Sequence, residues 1–75
     1  MTTIRKPLKV TIDPVNHSGF VAGFHARRLI DEAGGRPLWS RRRSCWSTSE
    51  KTARDVIARA EAERIPVVLT EEVVA

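Results

Sequence analysis

The spacing of apolar and polar positions changes character along the 75-residue chain, and each change marks an expected element. Lys9-Val10-Thr11-Ile12 alternates and is β-branched at its apolar positions, then stops at Asp13-Pro14, which predicts a short strand. Val15 to Gly19 holds Asn16, Ser18 and Gly19 and predicts a loop. From Ser47 the period becomes helical. Ala53, Val56, Ile57 and Ala60 follow i, i+3, i+4, i+7 and form one narrow apolar stripe. Ser47-Thr48-Ser49-Glu50 supplies N-cap hydroxyls and fits a capping box with Glu50 three residues after Ser47. Glu50–Arg54, Asp55–Arg59 and Arg59–Glu63 stand at i, i+4 on the opposite face, so this helix nearly neutralises itself. Pro66 disfavours helical geometry in Ile65, and Pro66-Val67-Val68-Leu69 predicts a last strand with the proline at its start.

Residues 20–33 carry two competing patterns. Read as a strand, Phe20, Ala22, Phe24, Ala26 and Ile30 share one face, with His25 and Arg27 on the other. Read as a helix, His25 to Ala33 has good propensity and Gly34 serves as its C-cap. Phe20, Phe24, Leu29 and Ile30 scatter around a helical wheel, and Gly34-Gly35 leads into the strand-like run Leu38 to Trp46. The strand reading, a hairpin closed by Glu32-Ala33-Gly34-Gly35, is therefore preferred.

These elements predict a single small α+β domain, with residues 1–8 and 71–75 as frayed ends. A three- or four-stranded, mostly antiparallel sheet packs one face on a Ser49–Arg64 helix, in the order β-β-β-α-β. Phe20, Phe24, Ile30, Leu38 and Trp46 are expected to meet Val56, Ile57 and Ala60, with Val10, Ile12, Val67 and Leu69 completing the sheet. If residues 20–33 are helical instead, the chain becomes a βαβαβ unit and residues 41–43 become a loop.

Charge sharpens this picture. The net charge is +4, yet residues 1–48 hold nine Lys or Arg against three acids, a net of +6, while residues 49–75 are net −2. The positive field thus belongs to the expected sheet, and such a face attracts polyanions. Leu38-Trp39-Ser40-Arg41-Arg42-Arg43-Ser44-Cys45-Trp46 concentrates it, placing three arginines between two tryptophans. The bland alternatives are a solvated charge run, or arginine enrichment from GC-rich coding DNA, since ten of the thirteen basic residues are Arg. In a regular strand Trp39 and Trp46 point to opposite faces; a β-bulge near Arg41–Arg43 would bring both to the core.

Catalytic and metal chemistries find little support. His17, His25 and Cys45 lack the spacing and number of a zinc site. Cys45 lies near Arg41–Arg43, which favours a thiolate, but no nucleophile motif frames it, and a lone cysteine reads as a small core residue. Gly34-Gly35 lacks the spacing and the Lys-Ser/Thr of a phosphate-cradling loop. The expectation is a non-enzyme that needs no cofactor. One cysteine excludes an internal disulfide, no run approaches the length of a membrane span, and the N-terminus lacks a signal-peptide core, so a cytoplasmic protein off the membrane is expected.

Gly23-Phe24-His25-Ala26-Arg27, Gly34-Gly35-Arg36 and Trp46-Ser47-Thr48-Ser49-Glu50-Lys51-Thr52-Ala53 together resemble small strand–turn–strand–helix modules, such as the arm-site DNA-binding domains of phage integrases. The resemblance spans residues 20–64 and implies a three-stranded sheet laid in the major groove, with Arg27, Arg41 and Arg43 facing DNA. The added strand Pro66–Leu69 departs from that pattern. Composition and resemblance converge on binding of nucleic acid, double-stranded DNA above all, through Arg27, Arg28, Arg36, Trp39, Arg41, Arg42 and Arg43. The competing reading is a protein-interaction module, of phage or regulatory type, that docks on an acidic partner through the same surface. A homodimer by edge-strand pairing is a third arrangement open to so small a domain.

Overall fold

The computed structural model describes residues 7–71, and among these the chain runs β1 (Leu8–Asp13), β2 (Ser18–Ala22), α1 (Ala26–Glu32), β3 (Leu38–Ser40), β4 (Cys45–Ser49), α2 (Glu50–Ala62) and β5 (Val67–Glu71). The five strands form one sheet in the order β3-β4-β2-β1-β5. β1–β2, β2–β4 and β3–β4 pair antiparallel, while β1–β5 pair parallel. The α+β class and the mostly antiparallel sheet are as the sequence predicts. The predicted order and strand count are not: the sheet has five strands and is mixed, and a second helix lies between β2 and β3. Leu8 opens β1 and Glu71 closes β5; the expected fraying of 1–6 and 72–75 falls outside the described residues.

Two segments fold differently from the expected pattern. Residues 20–33 divide: β2 ends at Ala22, Gly23 turns the chain at φ 134°, and α1 starts at Ala26. α1 buries Ala26, Leu29 and Ile30, an i, i+3, i+4 set that the two phenylalanines obscure in the sequence. It closes as a Schellman motif, with Gly34 at φ 83°, Gly34 N–H donating to Asp31 and Gly35 N–H to Ile30. The run Leu38–Trp46 also divides. Arg41–Ser44 is a turn, so that Leu38–Ser40 and Cys45–Ser47 form the hairpin that was expected one segment earlier.

Both helices cover the same face of the sheet. β2–α1–β3 is a parallel crossover that passes over β4, and β4–α2–β5 is another that passes over β2 and β1. The two crossovers start from antiparallel strands and travel in opposite directions. Right-handed connections then place both helices on one side. The core lies there: Leu8, Val10, Ile12 and Val21 from the sheet meet Leu29 and Ile30 of α1 and Ala53, Val56 and Ala60 of α2, with Ile65 beyond. Gly19 of β2 allows α2 to approach closely, since a Cβ there would collide with the Ala53 methyl. α2 is capped by Ser49, whose Oγ accepts from Thr52 N–H at 3.2 Å; Glu50 is its first residue, so the expected Ser47–Glu50 capping box does not form. The helix ends at Ala62, before Pro66 could act, in a second Schellman motif with Arg64 at φ 59°.

Among the described residues no helix covers the opposite face. Lys9, Thr11, Phe20, Ala22, Cys45 and Ser47 alternate onto it. Phe20 therefore lies away from the core, Phe24 is 95% exposed in the β2–α1 turn, and Leu38 is 67% exposed, against the expectation that all three pack inward. No helix among the described residues is long and apolar enough to cross a membrane.

Candidate nucleic-acid interface

The β3–β4 hairpin organises the basic run. Ser40 and Cys45 are the last paired residues, leaving Arg41-Arg42-Arg43-Ser44 as its turn. The Arg43 N–H reaches the Ser40 Oγ at 3.4 Å, and Ser44 adopts the left-handed conformation, φ 51°, that reverses the chain. All three arginines are exposed at the end of the sheet, rather than arrayed along a strand.

The same turn settles the tryptophans. Because the chain reverses, Trp39 and Trp46 become direct cross-strand partners on one face, with ring centroids 5.1 Å apart in an edge-to-face arrangement. No bulge is needed. Trp46 pairs with the buried Val21 and packs on the core, so this face is the helix-bearing one. Trp39 stays 54% exposed at the sheet's edge. The Arg27 guanidinium lies 5.7 Å from the centre of the Trp46 ring.

The sheet thus splits the predicted site. Arg27, Trp39 and Trp46 gather on the helix side. Arg43 folds back across the bare face, its guanidinium 4.1 Å from the centre of Phe20. There a concavity of 270 Å³ is lined by Lys9, Thr11, Phe20, Ala22, Arg43 and Cys45. A second of 500 Å³, lined by Pro7, Lys9, Ala22, Gly23 and Phe24, shares Lys9 and Ala22 with it. Lys9 and the two phenylalanines are residues that the sequence reading did not place at the site. The positions of β1 and β2 in mid-sheet bring Lys9 and Phe20 beside Arg43, and Phe24 lines the adjoining concavity.

Arg28 has a different role. It bonds Glu32 at 3.1 Å and Glu63 at 2.8 Å, the latter in a two-pronged contact that ties α1 to the end of α2. Hydrogen bonds to Glu63 and then Glu32 raise its pKa further above the ordinary arginine value. Arg54 is likewise bonded to Glu50 at 2.9 Å and Arg59 to Asp55 at 3.5 Å. Arg36, Arg41 and Arg42 are exposed and make no ion pair among the described residues. Arg36 lies on the α1–β3 connection and lines a shallow concavity with Gly34, Gly35, Ser47, Ser49 and Thr52.

Cys45 is buried next to Arg43. Burial pushes its thiol pKa up, and the smaller attraction of Arg43 opposes this, so the environment disfavours the reactive thiolate. Among the described residues no group of three His, Cys, Asp or Glu side chains is placed to hold a metal ion. His25, read from sequence as a sheet-surface residue, precedes α1 at its N-cap position and makes no side-chain cap bond. No family model, curated protein or solved structure matches the chain.

Proposed function

We propose that this protein binds nucleic acid without catalysis, that double-stranded DNA is its target, and that the β3–β4 hairpin is the contacting element. The observation that carries this reading is the unequal use of arginine. Of the helix arginines, Arg28, Arg54 and Arg59 are held by carboxylates and Arg27 lies against the Trp46 ring, whereas Arg41 and Arg42 project from a hairpin turn with no acid paired to them among the described residues. Guanidinium groups without internal partners remain available to phosphate oxygens. A two-stranded ribbon is narrow enough to enter the major groove, and a turn at its tip meets the backbone or the base edges first. Arg43 reaches back from the turn over Phe20, and Arg36 lies before β3 at the other end of the hairpin. Arg28 belongs to the scaffold and leaves the contacting set.

The test is binding of the purified protein to a labelled random duplex at about 50 and about 200 mM salt. With three arginines on phosphates, affinity should fall roughly 40-fold between the two conditions, following a log–log slope near −0.9 per contact. Arg41→Ala with Arg42→Ala should weaken binding at the lower salt. Absence of binding at the lower salt would refute the proposal. Weak salt dependence would mean that phosphate contacts do not carry the binding, against the role given to Arg41 and Arg42.

A further inference from the structure

The outer edge of β5, unpaired among the described residues, has a self-complementary hydrogen-bonding pattern, and we infer that two copies of this chain associate through it. β5 is the last strand of the sheet and, among the described residues, pairs only with β1. Leu8 N–H donates to the Pro66 carbonyl at 2.8 Å, which fixes the parity of the strand. Pro66, Val68 and Thr70 turn their backbone groups toward β1. Val67, Leu69 and Glu71 therefore turn theirs outward. None of these three is proline, so the edge offers three donors and three acceptors in a row.

An antiparallel partner must bring outward residues opposite one another. With a two-fold axis at Leu69, Leu69 faces its own copy and Val67 faces Glu71 of the second copy. All six outward groups of each strand are then paired. Displacing the axis to Val67 or Glu71 loses part of that pairing. The side chains agree with this register. Val68 and Leu69 are each 48% exposed, one on either face, and the axis covers the leucine with its counterpart while Val68 meets Thr70. Glu71 introduces little repulsion, since Arg54 of its own chain lies 4.0 Å away.

Edge strands that must stay single carry lysine, proline or a bulge, or are very short. β5 has none of these between Val67 and Glu71, whereas the other edge, β3, is three residues long and follows Pro37. A 75-residue chain also has a small core, for which added sheet contacts matter. The occupant best suited to this edge is a second copy, because the register is symmetric.

Sedimentation velocity on the full chain, over protein concentrations from micromolar to several hundred micromolar, tests this without any nucleic acid. The wild type should approach twice the chain mass as concentration rises. Leu69→Pro removes one outward N–H per chain and no bond to β1, so it should weaken association by about tenfold or more while circular dichroism stays unchanged. Leu69→Lys leaves the backbone intact and should act in the same direction by placing like charges at the axis. A wild type that stays monomeric throughout would overturn the inference and leave the edge to a strand from another protein. A dimer that survives both substitutions would overturn it too. Neither result bears on whether the hairpin binds DNA.

Discussion

Gly19 shows how a single residue sets the distance between two layers. Its backbone faces the Ala53 methyl of α2 so closely that a second methyl has no room. Gly19→Ala should therefore destabilise the fold by about 1–3 kcal/mol through overpacking, with a lower urea midpoint as the readout. An unchanged midpoint would mean that α2 can shift freely, against this account. Asp13 is the second such residue. The Asn16 side chain, at 2.8 Å, is the main cause holding its carboxyl below the ordinary aspartate range, and the Asn16 and Val15 backbone N–H groups assist. A depressed folded pKa contributes stability above the unfolded value and loses it as pH falls through the folded one. Asn16→Ala should hence be less stable than wild type at neutral pH, and the gap should narrow on acidification. Urea titrations at pH 7 and near pH 3 decide this; a gap independent of pH would assign Asn16 to the turn alone. At this scale the phenylalanines mislead most. Size and apolarity mark Phe20 and Phe24 as core, yet one lies under Arg43 and the other in solvent, while Leu29, Ile30 and Ala26 carry the burial. Nothing local in the sequence separates a core aromatic from one on an uncovered sheet face.

The elements that were legible are those whose own pattern suffices. β1 and α2 announce themselves by alternation and by the 53, 56, 57, 60 stripe, and β5 by its apolar run after Pro66. The short α1 was legible only as the alternative not preferred, His25 to Ala33 with Gly34 as C-cap, and the β3–β4 hairpin was not legible, for different reasons. α1 has only seven residues and no side-chain N-cap bond, so its stability comes from packing against α2 and from its Schellman closure. The hairpin turns on Arg41–Ser44, which contains none of the glycine or asparagine that usually marks a reversal. Ser44 and Arg64 both accept left-handed backbone geometry without being glycine. Arg64 is the C′ residue of the Schellman motif that ends α2, and Ile65 N–H bonds the Ala60 carbonyl at 2.8 Å just beyond it. Arg64→Gly should accordingly raise stability by about 0.5–1 kcal/mol, read as a higher thermal midpoint. At the other end, Ser49→Ala removes the acceptor for Thr52 N–H and should cost about 1 kcal/mol. If the two substitutions shift stability in the same direction, the assignment of the helix ends is wrong.

For the molecule as a whole, the net charge of +4 matters less than where it is left uncompensated. A charge-matched comparison separates the two contributions. Arg41→Ala with Arg42→Ala and Arg54→Ala with Arg59→Ala each remove two positive charges, so the overall field falls equally. They differ in what those charges were bound to. Arg54 and Arg59 belong to ion pairs along α2, and their loss leaves Glu50 and Asp55 without those partners. Arg41 and Arg42 end the hairpin without carboxylate partners among the described residues. If the hairpin meets phosphate, its double variant should lower the magnitude of the log–log salt slope for duplex binding by about 1.8, two contacts' worth of released counterions. The α2 variant should weaken binding at low salt through the long-range field but keep the slope, since no contact has been lost. Exposed ion pairs on a helix contribute only a few tenths of a kcal/mol, so the α2 variant should also remain folded and serve as a fair control. Equal loss of slope in both variants would reduce the protein to a diffuse polycation and remove the hairpin from any specific role. A loss confined to the hairpin variant would fix the orientation on DNA: the β3–β4 end of the sheet toward the duplex, and the β5 edge at the far side of the molecule.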